Sequence, residues 1–257
     1  MLFKGALRDL LRPRRLLMAA PLVALPALLG LFWRSMARRG GTFEPEIAYN
    51  VLQGGFVFGF ILVLLSVIVA TGVVSQEMEQ RTMVYLLTRP IARYRILLAR
   101  FAGAWLGTCI LVSAATLLLA CSVFGPTEAF QAIVWTDIKV VVLGALAYGS
   151  LFLLCATLVN KPLIYGLFFA FGWESWVPLF PTNLKKVCIV SYLRVLAPHP
   201  QPSQGDEGVM ELLSALNPVV ITPTGARNAL IIVTVVCLVA AAVTFSRRAY
   251  VPREDSE

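Results

Sequence analysis

The fold class is decided by residues 51–74, which read VLQGGFVFGFILVLLSVIVATGVV and contain no Asp, Glu, Lys, Arg or His. An α-helix rises about 1.5 Å per residue and the hydrocarbon core of a bilayer is about 30 Å thick, so a helix needs about 20 apolar residues to cross it. A transmembrane β-strand is a poor alternative, because its residues alternate between lipid and lumen. The stretch therefore predicts a membrane-spanning helix.

The composition of the whole chain agrees with that prediction. Of the 257 residues, 58% are hydrophobic and 14% are charged, and the mean hydropathy is +0.79. Soluble domains carry about 25% charged residues, so these numbers argue against a soluble enzyme, a disordered chain and a disulfide-stapled secreted fold. We predict an all-α integral membrane protein, a single transmembrane domain over residues 1–257 with six spans. The predicted spans are residues 16–32, 51–74, 101–124, 140–159, 162–180 and 229–245.

The basic residues predict the orientation. Most of the 22 Lys and Arg residues flank one side of the predicted spans. By the positive-inside rule that side is cytoplasmic, which places both termini in the cytoplasm. The net charge of +8 is spread along the inner ends of these spans, where anionic lipid headgroups explain it better than nucleic acid does. We therefore expect membrane lipids as partners, and no nucleic acid.

Segments outside the spans also have helical patterns. Residues 1–15 predict an interfacial helix, because their apolar and basic side chains fall on separate helical stripes; the basic flank of a signal anchor is the alternative. Between spans 5 and 6, residues 187–197 are apolar but too short to cross the membrane, which predicts a re-entrant or surface-lying helix. Residues 209–216 predict a second short outer helix.

Two small-residue motifs lie within the predicted spans. They pair Gly55 with Gly59 and Gly103 with Gly107. This spacing lets helix backbones approach closely. It predicts helix packing inside the bundle or, as the alternative, a seam between two copies of the chain.

The connection between spans 2 and 3 carries the functional signal. It reads SQEMEQRTMVYLLTRPIARYRILLAR over residues 75–100. Glu77 and Glu79 are predicted near a helix start, because the helix dipole favours acidic side chains there. The apolar residues that follow form one face, and Pro90 ends the helix. A short amphipathic helix fixed between two spans suits docking into a groove of a cytoplasmic partner, with an ordinary basic loop as the alternative.

Three patterns in this connection are informative together: Glu77-x-Glu79-x-x-Thr82, then Leu86-Leu87-Thr88-Arg89-Pro90-Ile91-x-Arg93, then Ile96-Leu97-Leu98-Ala99-Arg100. With the predicted layout of spans, they resemble the permease subunits of the ABC type-2 transporter family. The chain departs from the family in two places, since that family often has Gly-Lys at the Ala99-Arg100 position and Gly at the Arg81 position.

The resemblance implies an assembly in the cytoplasmic membrane of a bacterium or archaeon. In that family two permease subunits, identical or related, pair with two separate ABC ATPase subunits, most often for export. The sequence has no Gly-x-x-x-x-Gly-Lys-Ser/Thr loop, so ATP and Mg are expected in the partner ATPase, with no cofactor and no catalytic residue in this chain. The ATPase-coupling residues are expected to be Glu77, Glu79, Arg81, Thr82, Leu86, Leu87, Arg89, Pro90 and Arg93.

Glu174 is the only acidic residue within the six predicted spans. A carboxylate inside the membrane is costly, so it predicts a functional site that contacts substrate or governs the outer gate. The structural alternative is a carboxylate that reaches headgroups or water at the outer interface, because Trp173 and Trp176 flank it. The single His199 lies between prolines without a neighbouring Cys or His, and no metal site is predicted.

Two other functions remain as alternatives to the permease. One is an ion-coupled secondary transporter, which needs several buried ionisable groups, and Glu174 alone supports that poorly. The other is a non-transporting membrane assembly factor. An intramembrane enzyme is disfavoured, because the predicted spans lack paired Asp residues, Ser with His, and clustered metal ligands.

Overall fold

A computed structural model describes residues 13–37, 44–79, 93–126, 129–159, 161–177, 186–199 and 222–247, and every regular element within those residues is helical. The elements are α1 (Pro13–Ala37), α2 (Pro45–Val51), π1 (Leu52–Ile61), α3 (Leu62–Glu79), α4 (Arg93–Val123), α5 (Ala132–Leu158), α6 (Pro162–Phe168), π2 (Phe169–Glu174), α7 (Ile189–Leu196) and α8 (Pro223–Arg247). The predicted helices at residues 1–12, 80–92 and 209–216 lie outside the described residues.

Five helices of the described chain are long and apolar enough to cross a membrane. They are α1, the continuous helix formed by α2, π1 and α3, then α4, α5 and α8. Each covers one predicted span, so the all-helical membrane architecture is confirmed. The remaining predicted span, residues 162–180, corresponds to α6 and π2; its described residues reach only residue 177, and over that length it is not among the five. The count of six spans therefore stays a prediction.

The helix α5 starts earlier than its predicted span. It begins at Ala132 rather than at residue 140, and it contains Asp137, which is fully buried. Asp137 therefore lies in a candidate spanning helix, outside the predicted span of residues 140–159. The Tyr49 hydroxyl donates a hydrogen bond to its carboxylate, and His199 lies within hydrogen-bond distance of it, so the buried group is satisfied by the bundle.

The bundle is built around α5, of which 67% of the spanning residues are buried. It packs against α3, α4 and α8, while α1 packs on α4. In α1 and α8 only 17% and 28% of the spanning residues are buried. Their outward faces are apolar, as expected of helices that face lipid. On α8 this face consists of Ile231, Ile232, Val235, Val236, Val239 and Val243.

The π-helical turns of π2 decide which way Glu174 points. The buried residues of α6 and π2 are Pro162, Gly166, Ala170 and Glu174, one at every fourth position. In an unbroken α-helix each residue turns by about 100°, so position 174 would be rotated by about 120° from position 162. A π turn takes up about one residue more than an α turn because its hydrogen bonds run from i to i+5. The mixture keeps all four residues on one face and directs Glu174 into the bundle.

Glycines allow close helix contacts in the bundle, although not at every predicted position. A Cβ on Gly166 would lie 2.9 Å from Val67 Cγ1, and one on Gly144 would lie 2.8 Å from Leu62 Cδ2. A Cβ on Gly59 would meet no atom of the described chain within 4 Å, so the predicted intrachain packing does not hold at Gly59. The other predicted positions are half-buried or buried: Gly55, Gly103 and Gly107.

We predict that Gly166→Leu destabilises the bundle and that Gly59→Leu does not. Overpacking at Gly166 forces the stiff Val67 side chain and its neighbours to shift, which costs about 1–3 kcal/mol. Both substitutions replace a helical glycine by leucine, so the change in helix propensity is matched. Thermal unfolding in detergent micelles measures the difference. Equal destabilisation by both variants would contradict the packing described at Gly166, whereas loss of a dimer in Gly59→Leu alone would indicate a seam between copies.

Candidate functional site

The predicted ATPase-coupling residues lie only partly within the described chain. Glu77 and Glu79 belong to the last described turn of α3, and Arg93 begins α4. The prediction that Glu77 and Glu79 start a helix is wrong, because α3 continues without a break from the membrane span to Glu79. The other coupling residues lie outside the described residues: Arg81, Thr82, Leu86, Leu87, Arg89 and Pro90. We call the end of the bundle at Glu79 and Arg93 the proximal end, and the opposite end the distal end.

Glu174 is buried and caps the short helix α7. The residue is 3% exposed; its Oε1 accepts a hydrogen bond from the Ile189 N–H at 2.9 Å, and Oε2 accepts one from the Val190 N–H at 3.3 Å. Cys188, the N-cap residue of α7, gives no side-chain cap. Glu174 therefore satisfies the first free N–H groups of α7 and places its charge at the positive end of the helix dipole.

This burial argues against the interfacial alternative for Glu174. Trp173 and Trp176 are exposed beside it, yet Glu174 itself is enclosed by the described part of the bundle. Tyr148 of α5 and Arg194 of α7 interact electrostatically with Glu174. The Arg194 Nε makes no hydrogen bond within the part of the chain that is described. Glu174 thus joins π2, α5 and α7 at one buried point.

A second polar cluster lies just beyond the other end of α7. His199 Nδ1 is 2.8 Å from Asn50 Oδ1, and His199 Nε2 is 2.9 Å from Asp137 Oδ1. The Tyr49 hydroxyl donates to Asp137 Oδ2 at 2.6 Å. The side chains of His199 and Asp137 are 1% and 0% exposed. Sequence reasoning treated His199 as a loop residue without partners, whereas the fold places it between α2 and α5.

The ring of His199 also packs in an apolar site formed by Tyr49, Phe58 and Gly54, which we call its seat. Its edge faces Tyr49 with ring centroids 6.0 Å apart, and Phe58 of π1 lies 5.6 Å away. A Cβ on Gly54 would come within 2.9 Å of His199 Cβ, so only glycine leaves room for the imidazole there. Within the described residues no group of three His, Cys, Asp or Glu side chains could hold a metal ion. The chemistry available to this cluster is hydrogen bonding and proton binding.

The short helix α7 lies along α5 from its distal part to just past its middle. Glu174, at its start, interacts with Tyr148, Leu193 packs against Gly144, and His199, after its end, reaches Asp137. From Asp137 to Tyr148 is about 16 Å along α5, at about 1.5 Å per residue. The predicted short helix in residues 187–197 is therefore confirmed, and its contacts reach the middle of α5, which favours the re-entrant alternative over the surface-lying one. It is held at both ends by buried ionisable side chains.

These features define a multi-pass helical membrane protein in which a re-entrant helix is fastened to the bundle by polar side chains. The family model described as ABC-2 family transporter protein matches residues 12–172, which is more than half of the chain. The chain belongs to this family, and the resemblance drawn from residues 77–100 is confirmed. Proteins of this family are membrane components of transporters and are not themselves catalytic. A comparison with curated proteins gives no match.

The anchoring role of Glu174 leads to a prediction. In Glu174→Ala the N–H groups of Ile189 and Val190 lose their acceptor in a buried place, which costs about 1–3 kcal/mol for each group. In Glu174→Gln one side-chain oxygen remains, so the loss is expected to be smaller. Amide hydrogen exchange of Ile189 and Val190 in the purified chain measures the effect. Wild-type protection in the alanine variant would show that α7 does not depend on Glu174.

Proposed function

We propose that the chain is the membrane-spanning permease subunit of an ABC exporter, driven by a separate cytoplasmic ATPase. Membership of the ABC-2 family carries this proposal. Two permease subunits, identical or related, would assemble with two ATPase subunits that bind ATP and Mg. The complex would lie in the cytoplasmic membrane of a bacterium or archaeon, with both chain termini and the proximal end of the bundle in the cytoplasm and lipids around it. The ATPase would dock on residues 77–93.

The continuous helix formed by α2, π1 and α3 supports a route for coupling. It runs from Pro45 to Glu79, so one end adjoins the proposed dock and the other end carries Tyr49 and Asn50. Tyr49 is linked to His199 through Asp137, and Asn50 contacts His199 directly. A displacement of the dock tilts this helix and shifts the groups that hold α7 about 40 Å away, at about 1.5 Å per residue. The proposed gate is α7, closed when both of its anchors are made.

A second candidate is an ion-coupled secondary transporter. The observation that favours it is the burial of three ionisable side chains along α5: Glu174, Asp137 and His199. Such groups inside a membrane bundle often mark ion pathways. The two functions differ in their energy source. Transport in proteoliposomes that needs an ATPase and ATP supports the permease, whereas transport driven by a proton gradient alone supports the second candidate.

The docking proposal predicts the behaviour of two variants. Glu79→Ala and Leu86→Ala are expected to weaken copurification of the cytoplasmic ATPase, because one removes a charge and the other an apolar contact of the proposed dock. Lys139→Ala is the matched control, since Lys139 is an exposed charge near the start of α5, far from the dock. Pull-down from membranes that contain the candidate ATPase measures binding. Undiminished binding by both dock variants would overturn the docking proposal.

The gate proposal predicts a separate effect of Glu174. In the assembled complex, Glu174→Gln is expected to leave ATPase binding unchanged and to reduce the ATPase activity that depends on the permease, because the N-terminal anchor of α7 is weakened. The readout is ATP hydrolysis by the reconstituted complex, with Trp176→Phe as a control at an exposed neighbour. Wild-type ATPase activity and transport with intact assembly would remove Glu174 from the mechanism.

A further inference from the structure

The carboxylate of Asp137 is buried without a permanent counter-charge. Within the described chain His199 is the only basic side chain within 4.0 Å of it, at 2.9 Å. Tyr49 donates a hydrogen bond to Asp137 but brings no positive charge. A buried charge is costly unless a partner neutralises it. The charge of the cluster is therefore set by the number of protons that Asp137 and His199 share.

The two side chains have three charge states. Without a shared proton the cluster carries one negative charge, with one proton it is neutral overall, and with two protons it carries one positive charge. Burial away from water disfavours a net charge of either sign on the cluster. His199 Nδ1 lies 2.8 Å from the acceptor Asn50 Oδ1 and so carries a hydrogen, and the 2.9 Å contact between His199 Nε2 and Asp137 Oδ1 then needs a second hydrogen, carried by either atom.

We propose that Asp137 and His199 form a binding site for one proton, and that occupancy by this single proton holds the re-entrant helix α7 against the bundle. The proton comes from the water at the distal end of the bundle. It is exchanged and not consumed, so no other reactant is needed. The site itself rests on the contacts of Asp137 and His199, and its role in opening a gate rests on the proposed function.

Among the described residues, His199 meets no other ionised side chain that would take over this role. From α2 it meets Asn50 and Tyr49, from α5 Asp137, and from π1 Phe58 and Gly54. Phe124 of α4 packs on Tyr49. Asn50, Phe58, Gly54 and Phe124 carry no ionisable group. The nearest other charges on the same elements are exposed to solvent or belong to the Glu174 anchor: Glu46, Lys139 and Arg194.

The proposal predicts a maximum in the stability of α7 as pH is varied. When pH falls, the cluster takes up a second proton and becomes positive; when pH rises, it loses its only proton and becomes negative. Each change weakens the seat of His199 and favours release of α7. If one proton is bound or lost when α7 is released, the equilibrium constant for release changes by up to about tenfold per pH unit. Protection of α7 is therefore expected to fall on both sides of an optimum.

Single substitutions separate the two limbs of this pH dependence, that is, the loss of protection at low pH and the loss at high pH. In Asp137→Asn the cluster is neutral when His199 is neutral, so α7 is expected to open on acidification and to stay closed at high pH. In His199→Gln the cluster is neutral only when Asp137 binds a proton, so α7 is expected to open as pH rises and to stay closed at low pH. Lys139→Gln, which removes an exposed charge from the same helix, is expected to keep both limbs.

The measurement is amide hydrogen exchange of the full chain in lipid nanodiscs, expressed as protection relative to the intrinsic exchange rate at each pH. Residues 189–197 report the release of α7, and residues 141–153 of α5 report opening of the whole bundle. Protection of α7 that does not vary with pH, or variants that both keep two limbs, would overturn the proton site. Because no ATPase is present, failure of the docking variants leaves this result unaffected, and failure here leaves the permease proposal intact.

Discussion

A polar group inside a lipid-facing bundle has to be satisfied by the bundle itself, and the arrangement of α7 depends on this constraint. Lipid offers no hydrogen bonds, so an unpaired carboxylate or helix terminus at this depth is costly. The carboxylate of Glu174 and the first N–H groups of α7 would each be costly if unpaired, and they satisfy one another by hydrogen bonding. Asp137 depends in the same way on Tyr49 and His199. The polar side chains are therefore also the fastenings of the re-entrant helix.

The helical register determines that these polar side chains reach their hydrogen-bond partners. A uniform α-helix from Pro162 would turn Glu174 away from α7, whereas the π turns keep it on the buried face. A longer π-helical stretch, π1, carries Gly54 and Phe58, which form the seat of His199. Irregular helical turns thus occur at the level of both polar anchors. Such turns are frequent at functional sites, and here they position a buried side chain or open room for one.

The sequence was sufficient for the features that depend on local hydropathy. Continuous apolar runs identified five of the helices that the structure contains, and the short apolar run at residues 187–197 identified α7. Residues 77–100 were sufficient for the family, although their placement of Glu77 and Glu79 at a helix start was wrong. Hydropathy falls sharply at the polar residues that end a run, so it could not show that α3 extends to Glu79 or that α5 begins at Ala132.

The polar anchors were out of reach for a different reason. His199 is 62 positions from Asp137 and 149 positions from Asn50, and no local pattern relates residues so far apart. Asp137 was placed outside the membrane because charge is expected there, and Glu174 was singled out because its apolar run made it unusual. Apolar residues lie on both sides of Asp137 in the sequence. They could have indicated that the helix begins before residue 140 and includes Asp137.

The two anchors differ in a way that bears on how α7 could be released. Glu174 binds backbone N–H groups of α7, so its removal exposes the end of a helix. His199 binds through side chains alone. The anchor at His199 also adjoins Tyr49 and Asn50, which lie on the same continuous helix as Glu79. The proposed gate would therefore open at His199, which the continuous helix connects to the proximal end of the bundle.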